Sequence, residues 1–106
     1  MKPLSSDTRI AATGAGQIAL GGALTADAVA RLQRDGRRLM ADAAQPVVMD
    51  LGGVERADSA GLALLVDWLA WAQQRHQKLQ FIHMPDVLHS LARLSEIESI
   101  LPTPGA

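Results

Sequence analysis

Residues 47–75 read VVMDLGGVERADSAGLALLVDWLAWAQQR, and this segment decides the fold of the chain. Its first five residues are nearly all apolar, which is typical of a central strand covered on both faces. Residues 52–57 are predicted to be a loop. Asp58 or Ser59 can cap the helix that follows, because a short polar side chain accepts hydrogen bonds from the free N–H groups at a helix start. The segment therefore predicts a buried strand, a loop and an apolar helix that ends near His76.

A β-hairpin and a helix are predicted before this segment. Residues 8–12 and 17–20 are short β-compatible runs, and the tetrad Thr13-Gly14-Ala15-Gly16 between them has the composition of a turn. Thr25 can cap the next helix, in which apolar residues recur at spacings of three and four as far as Ala43. The other side of this helix is predicted to be a solvated face, on which aspartates alternate with Arg31, Arg34, Arg37 and Arg38.

A third strand-like run and a last helix are predicted after the segment. The strand spans residues 79–82, and the helix begins near Asp86, which makes the element order ββαβαβα. Connections between parallel strands are right-handed almost without exception, so both crossover helices fall on the same side of the sheet. The predicted fold is a single α/β domain, residues 1–106 with an ordered core of about 8–102. Its helices cover one side of a small mixed sheet of about four strands.

Composition limits the classes of function. The chain has 106 residues, a formal net charge of −1, three histidines and no cysteine. This charge does not favour non-specific nucleic-acid binding, which depends on many cationic contacts to phosphates. Without cysteine there is no disulfide framework and no sulfur-based zinc site, and the histidines lack metal-ligand spacing on one helix face. We therefore expect no metal, no cofactor, no nucleic acid and no catalytic activity.

A cytoplasmic location is expected from the same composition. A chain without cysteine fits a reducing compartment. The longest strongly apolar stretch, residues 60–72, is well short of the roughly 20 residues needed to cross a bilayer. No direct insertion into a membrane is therefore expected.

The quoted segment closely resembles the central motif of STAS domains, named for sulphate transporters and anti-sigma factor antagonists. Asp50-Leu51 ends the strand as in that family, and Asp58-Ser59-Ala60-Gly61-Leu62 opens the helix. The tail LARLSEIESILP, residues 91–102, fits the family's closing helix. The resemblance covers most of the chain and implies the STAS fold.

Two branches of this family fit the motif in different ways. In anti-sigma factor antagonists, a serine at the position of Ser59 is phosphorylated by a partner kinase and is typically followed by another serine, whereas this chain has Ala60. The run GLALLV, residues 61–66, looks more like MlaB-type STAS domains. That resemblance implies a non-catalytic cytoplasmic subunit, peripheral to the inner membrane, on the MlaF-like ATPase of a phospholipid-transporting ABC system that maintains outer-membrane lipid asymmetry. The alternative is an anti-sigma factor antagonist switched by phosphorylation of Ser59.

The helix in the quoted segment carries more apolar surface than one buried face requires. A second stripe consists of Leu64, Trp68 and Trp71. It is exposed for a partner, or it packs against the third helix, or its tryptophans are merely half-exposed. Gly61 either allows another backbone to approach closely or is simply tolerated. The partner-binding residues predicted here are Asp58, Ser59, Ala60, Gly61, Ala63, Leu64, Asp67, Trp68 and Trp71, with Ser59 also the predicted phosphorylation site.

Overall fold

Residues 8–104 are described in the computed structural model. They form one mixed four-stranded sheet, three α-helices and a final turn of 3₁₀ helix. Residues 1–7 and 105–106, which the predicted domain includes, lie outside the described residues. The strands are β1 (Arg9–Gly14), β2 (Gln17–Leu24), β3 (Val47–Ala57) and β4 (Leu79–Ile82); the α-helices are α1 (Ala26–Asp42), α2 (Ser59–Gln74) and α3 (Asp86–Leu94); the 3₁₀ turn is Glu98–Ile100.

The strands lie in the order β1-β2-β3-β4 across the sheet. β1 and β2 form an antiparallel hairpin, whereas β2 with β3 and β3 with β4 are parallel and are joined through α1 and α2. The hairpin turns at Gly16, which has a φ of 72°. A Cβ at Gly16 would lie 2.7 Å from the carbonyl oxygen of Ala44, so only glycine fits this turn. The predicted mixed sheet with an N-terminal hairpin is confirmed.

One face of the sheet is covered by the helices and the other is open. Along β3, Met49 and Leu51 are buried, whereas Val48 and Asp50 between them are partly exposed. Successive side chains of a strand point to opposite faces, so this alternation separates a covered face from an open one, and the prediction of a strand covered on both faces is wrong. The strand residues of the covered face are Ile18, Leu20, Val47, Met49, Leu51, Leu79 and Phe81.

β3 is longer than the sequence predicts. Residues 52–57, predicted to be a loop, continue the strand as far as Ala57. They do so because β2 also continues beyond Leu20 and pairs with them, from Gly21 opposite Gly53 to Leu24 opposite Ala57. The loop prediction is therefore wrong, since a neighbouring strand provides hydrogen-bond partners for this backbone.

Trp68 is fully buried against α1. Gly36 of α1 makes room for it, because a Cβ at Gly36 would lie 2.4 Å from Cζ2 of the indole. The indole N–H donates to the backbone oxygen of Gln33 at 3.4 Å. Leu64, one turn earlier in α2, is 2% exposed. Of the accounts that the sequence leaves open for this stripe, exposure to a partner is therefore wrong for Leu64 and Trp68. The tryptophan packs against Gly36 of α1.

Candidate partner-binding site

The start of α2 is built around Asp58, which links two helix N-termini. Its Oδ1 accepts a hydrogen bond from the Gly61 N–H at 3.1 Å and caps α2. Its Oδ2 accepts from the N–H of Ala26, the first residue of α1, at 3.2 Å. The Asp58 N–H donates to the Leu24 carbonyl oxygen at 3.2 Å. One carboxylate therefore satisfies a free N–H of each helix and fixes both helix starts at the end of β2.

Thr25 does not cap α1 with its side chain, although the sequence predicts such a cap. It occupies the N-cap position, but its side chain makes no capping hydrogen bond. Its hydroxyl donates instead to Oδ1 of Asp27 at 2.6 Å. This hydrogen bond is the main cause of a lowered pKa of Asp27, because it favours the charged carboxylate. Asp58 supplies the cap that Thr25 does not.

Gly61, in the first turn of α2, lies directly against the backbone of β2. A Cβ at this position would lie 2.2 Å from the carbonyl oxygen of Leu24, a distance that no side chain tolerates. Of the two accounts that the sequence leaves open for this glycine, the close approach of another backbone is therefore confirmed.

Ser59 is the first residue of α2, and it is exposed. Because Asp58 already caps the helix, the Ser59 hydroxyl is not needed for capping. The N-terminus of a helix carries a partial positive charge that favours an anion, whereas the neighbouring Asp58 carboxylate is negative. The Ser59 hydroxyl can therefore contact a partner without breaking the cap, and its phosphorylation stays a prediction.

The side of α2 that faces away from the core carries mostly small residues. Ser59, Ala63 and Ala70 are exposed, and spacings of three and four place them in one strip. Small side chains allow another backbone to approach closely. We call this strip the α2 outer face and define it as Ser59, Ala60, Ala63, Val66, Asp67, Ala70 and Trp71, of which Ala60, Val66, Asp67 and Trp71 are half-buried.

Trp71 is stacked with two arginines at one edge of the α2 outer face. The guanidinium carbon of Arg75 lies 4.6 Å from the ring centroid, and that of Arg37 lies 5.6 Å from it. Nη2 of Arg37 also donates to both carboxylate oxygens of Asp67, at 3.0 and 3.1 Å. Trp71 is therefore held in place by Arg37 of α1 and by Arg75 at the end of α2.

The structure divides the predicted partner-binding residues into two groups. Gly61, Leu64 and Trp68 are buried, so these residues are not available to a partner, and that part of the prediction is wrong. The other residues lie at the surface, exposed or half-buried, and their role in partner binding stays a prediction: Asp58, Ser59, Ala60, Ala63, Asp67 and Trp71.

Two features near this site were missed at the level of sequence. Arg37 was assigned to a solvated face, but it contacts Asp67 and Trp71; no local pattern signals a contact across 30 positions. In α3, Val87 and Leu94 share a side by periodicity with buried Leu88, yet they are 40% and 83% exposed. α3 contacts α2, so these side chains add apolar surface on the helical side of the domain.

Within residues 8–104, no group of three or more His, Asp or Glu residues is placed to hold a metal ion. No helix in that part of the chain combines the length and the apolar character needed to span a membrane.

A family model described as "Mlab, STAS domain" matches residues 8–102. The chain belongs to the STAS domain family. The family expected from the motif at Asp58 and Ser59 is thereby confirmed. No curated protein sequence matches this STAS domain significantly.

Solved structures show the same fold. The anti-sigma factor antagonist SpoIIAA in its unphosphorylated form is 10% identical, with 92% of this chain and 88% of that chain covered and a TM-score of 0.67. A serine-to-glutamate variant of RsbS from Moorella thermoacetica is 14% identical, with 95% of this chain and 88% of that chain covered and a TM-score of 0.63. At these identities the two structures establish the fold of this STAS domain and no more.

Proposed function

We propose that this STAS domain is a non-catalytic subunit that binds the cytoplasmic, MlaF-like ATPase of a phospholipid-transporting ABC system. Binding to that ATPase would hold it at the inner membrane, where it supports assembly or activity of the transporter and so outer-membrane lipid asymmetry. The α2 outer face carries the proposal, and the description of the matching family as Mlab supports the choice of partner.

The α2 outer face suits a protein partner better than a small molecule. It is the convex side of a helix and offers no enclosure, whereas small-molecule sites are concave. The side chains at its centre, around Ala63, are small enough for a partner's helix to pack closely. Its edge carries Trp71 with Arg37 and Arg75, the residue types that are enriched among the residues contributing most to interface affinity.

Trp71 can anchor such an interface but cannot maintain it alone. A half-buried tryptophan has at most about 90 Å² left to bury, which is worth about 2 kcal/mol at roughly 25 cal/mol per Å². Association costs about 4 to 15 kcal/mol in lost freedom of motion. The rest of the α2 outer face must therefore be covered by the partner as well.

The test is co-purification of the ATPase with variants of this domain. Ala63→Arg places a long charged side chain in the centre of the α2 outer face and is expected to abolish capture of the ATPase. Ala11→Arg is the control, because Ala11 is also an exposed alanine but lies on β1, on the open face of the sheet away from the helices. Both variants should keep the far-ultraviolet circular dichroism of the parent chain. Equal capture by the two variants would contradict the proposed surface.

The exposure of Ser59 favours a second function, that of an anti-sigma factor antagonist switched by phosphorylation. A phosphate at Ser59 would add about −1.5 to −2 charges at the helix start, which would change the surface presented to a partner. The fold shared with SpoIIAA and with RsbS supports this alternative. The Asp58 carboxylate, held beside Ser59 by its two hydrogen bonds, opposes it through charge repulsion.

Intact mass spectrometry separates the two functions. The domain is incubated with ATP and each candidate anti-sigma factor kinase of its host, beside a Ser59→Ala control. Addition of one phosphate to the parent chain and none to the control would favour the switch. An unmodified parent chain that still captures the ATPase would favour the transporter subunit.

A further inference from the structure

The edge of the α2 outer face that carries Trp71 has an excess of positive charge. Arg37 and Arg75 both lie against the Trp71 ring, with their guanidinium carbons 5.6 and 4.6 Å from its centroid. Within residues 8–104, the only salt bridge of either arginine joins Arg37 to Asp67. Two arginines and one aspartate therefore leave one positive charge at this edge without a negative partner.

Arg75 is the arginine whose charge is not balanced. It follows the last residue of α2, and its side chain is exposed. Asp67 is engaged by Arg37, since both of its carboxylate oxygens accept from Nη2 of that arginine, at 3.0 and 3.1 Å. Lys78, three positions after Arg75, is also exposed and forms no salt bridge in the described part of the chain, so it adds to the excess. The contact with Trp71 keeps the guanidinium of Arg75 on the ring.

A partner that covers Trp71 also removes water from Arg75. In the proposed function the partner buries the exposed part of the Trp71 ring, and the guanidinium of Arg75 lies against that same ring. A charge that loses its water opposes binding strongly unless an opposite charge replaces the water. Arginine cannot avoid this cost by losing its proton, because it stays charged in proteins. The negative charge must therefore come from the partner.

We propose that the partner of the α2 outer face presents an aspartate or glutamate side chain to Arg75. This inference rests on the proposed function, because it describes the surface of the ATPase that would cover Trp71. A carboxylate fits better than a neutral acceptor, since its two oxygens match the planar fork of a guanidinium. Arginine combines stacking on an aromatic ring with hydrogen bonds through its N–H groups, so the contact with Trp71 does not compete with such a pair. One carboxylate balances the excess charge.

The test is the affinity of the purified ATPase for variants of this domain, measured by titration calorimetry at low and at high salt. Arg75→Gln removes the charge and is expected to weaken binding at least about tenfold at low salt. Arg38→Gln is the matched control and should leave the affinity unchanged. Arg38 is also an exposed arginine, but it pairs with Asp35 and lies beside Ile10, on the side of α1 toward β1. High salt should weaken binding of the parent chain more than binding of Arg75→Gln, because salt screens the attraction between the paired charges.

A carbodiimide cross-link identifies the partner's group directly. Arg75→Lys places a primary amine at this position, and a carbodiimide joins an amine to a neighbouring carboxylate as an amide, with the loss of water taken up by the reagent. The chain has only two lysines of its own, Lys2 and Lys78, so a cross-linked peptide that contains position 75 is readily assigned by mass spectrometry. The amine at position 75 should be joined to an aspartate or glutamate of the ATPase, whereas Arg38→Lys should give no such link.

The outcomes separate this inference from the function on which it rests. An ATPase that binds the parent chain and Arg75→Gln equally well overturns the inference and leaves the subunit function standing. A complex of Arg75→Lys that forms without a link from position 75 to a carboxylate does the same. An ATPase that does not bind the parent chain overturns both. Binding of the parent chain to phosphatidylglycerol vesicles that Arg75→Gln loses, while it keeps its affinity for the ATPase, would assign Arg75 to a lipid phosphate and overturn the inference.

Discussion

Replacing Asp58 with alanine is expected to lower the free energy of unfolding by about 2 kcal/mol. The carboxylate accepts the Ala26 N–H of α1 at 3.2 Å and the Gly61 N–H of α2 at 3.1 Å. Loss of one helix N-cap costs about 1 kcal/mol, within a range of roughly 0.5 to 2. The two losses add, because the N–H groups belong to different helices.

Asp58→Asn divides this effect into its two parts. The asparagine oxygen can cap one helix, but its NH₂ group cannot accept a hydrogen bond from the other, so the expected loss is about 1 kcal/mol. Asp86→Ala is the matched control. Asp86 lies in the first turn of α3, where no side chain makes a capping bond, so only its favourable interaction with the helix dipole is lost, about 0.5 kcal/mol.

Urea unfolding followed by circular dichroism measures these differences. With a slope of about 1.5 kcal/mol per molar urea, Asp58→Ala should shift the midpoint by about 1.3 M and Asp58→Asn by about half as much. Hydrogen exchange at the Ala26 and Gly61 amides should accelerate in Asp58→Ala. The reasoning is refuted if Asp58→Ala is no less stable than Asp86→Ala, or if Asp58→Asn is as unstable as Asp58→Ala.

Three other results are expected. Gly36→Ala should lower the free energy of unfolding by about 1 to 3 kcal/mol in urea, because its Cβ would meet the Trp68 ring, and a smaller side chain at position 68 should restore part of that loss. A variant that is more stable than the parent chain, as helix propensity alone would make it, would contradict this packing. Arg37 and Asp67 should show a coupling of about 0.5 kcal/mol in a double-mutant cycle, reduced at high salt, because both side chains are about one-third exposed; a coupling unaffected by salt would argue against the ion pair. Asp50→Asn should be less stable than the parent chain at neutral pH, and this difference in stability should vanish as the pH falls from the ordinary aspartate pKa through the lowered pKa of Asp50. A difference in thermal unfolding that stays constant across this pH window would contradict the lowered pKa.

Local patterns were sufficient for the order and type of the elements. The three-and-four spacing of α1, the apolar run that starts β3 and the cap residues before α2 each depend on neighbours in sequence, so the sequence reveals them without knowledge of the fold. The motif around Asp58 and Ser59 was sufficient for the family, which the match over residues 8–102 confirms. For Gly61, the sequence left two accounts open, a close approach of another backbone or a merely tolerated glycine. The Leu24 carbonyl oxygen beside it shows that the first is right.

The tertiary structure decided which side of α2 is buried, because that helix is apolar on more than one side and its periodicity cannot choose between them. Gly36, more than 30 positions earlier, provides the space in which Trp68 is buried, whereas Trp71 stays half-buried at the edge of the α2 outer face. The pairing of β2 with residues 52–57 likewise turned a predicted loop into a strand. The hydrogen bond between Asp50 and His83 arose in the same way. Asp50 lies on β3 and His83 directly follows β4, and nothing in the sequence brings them together until the two strands pair.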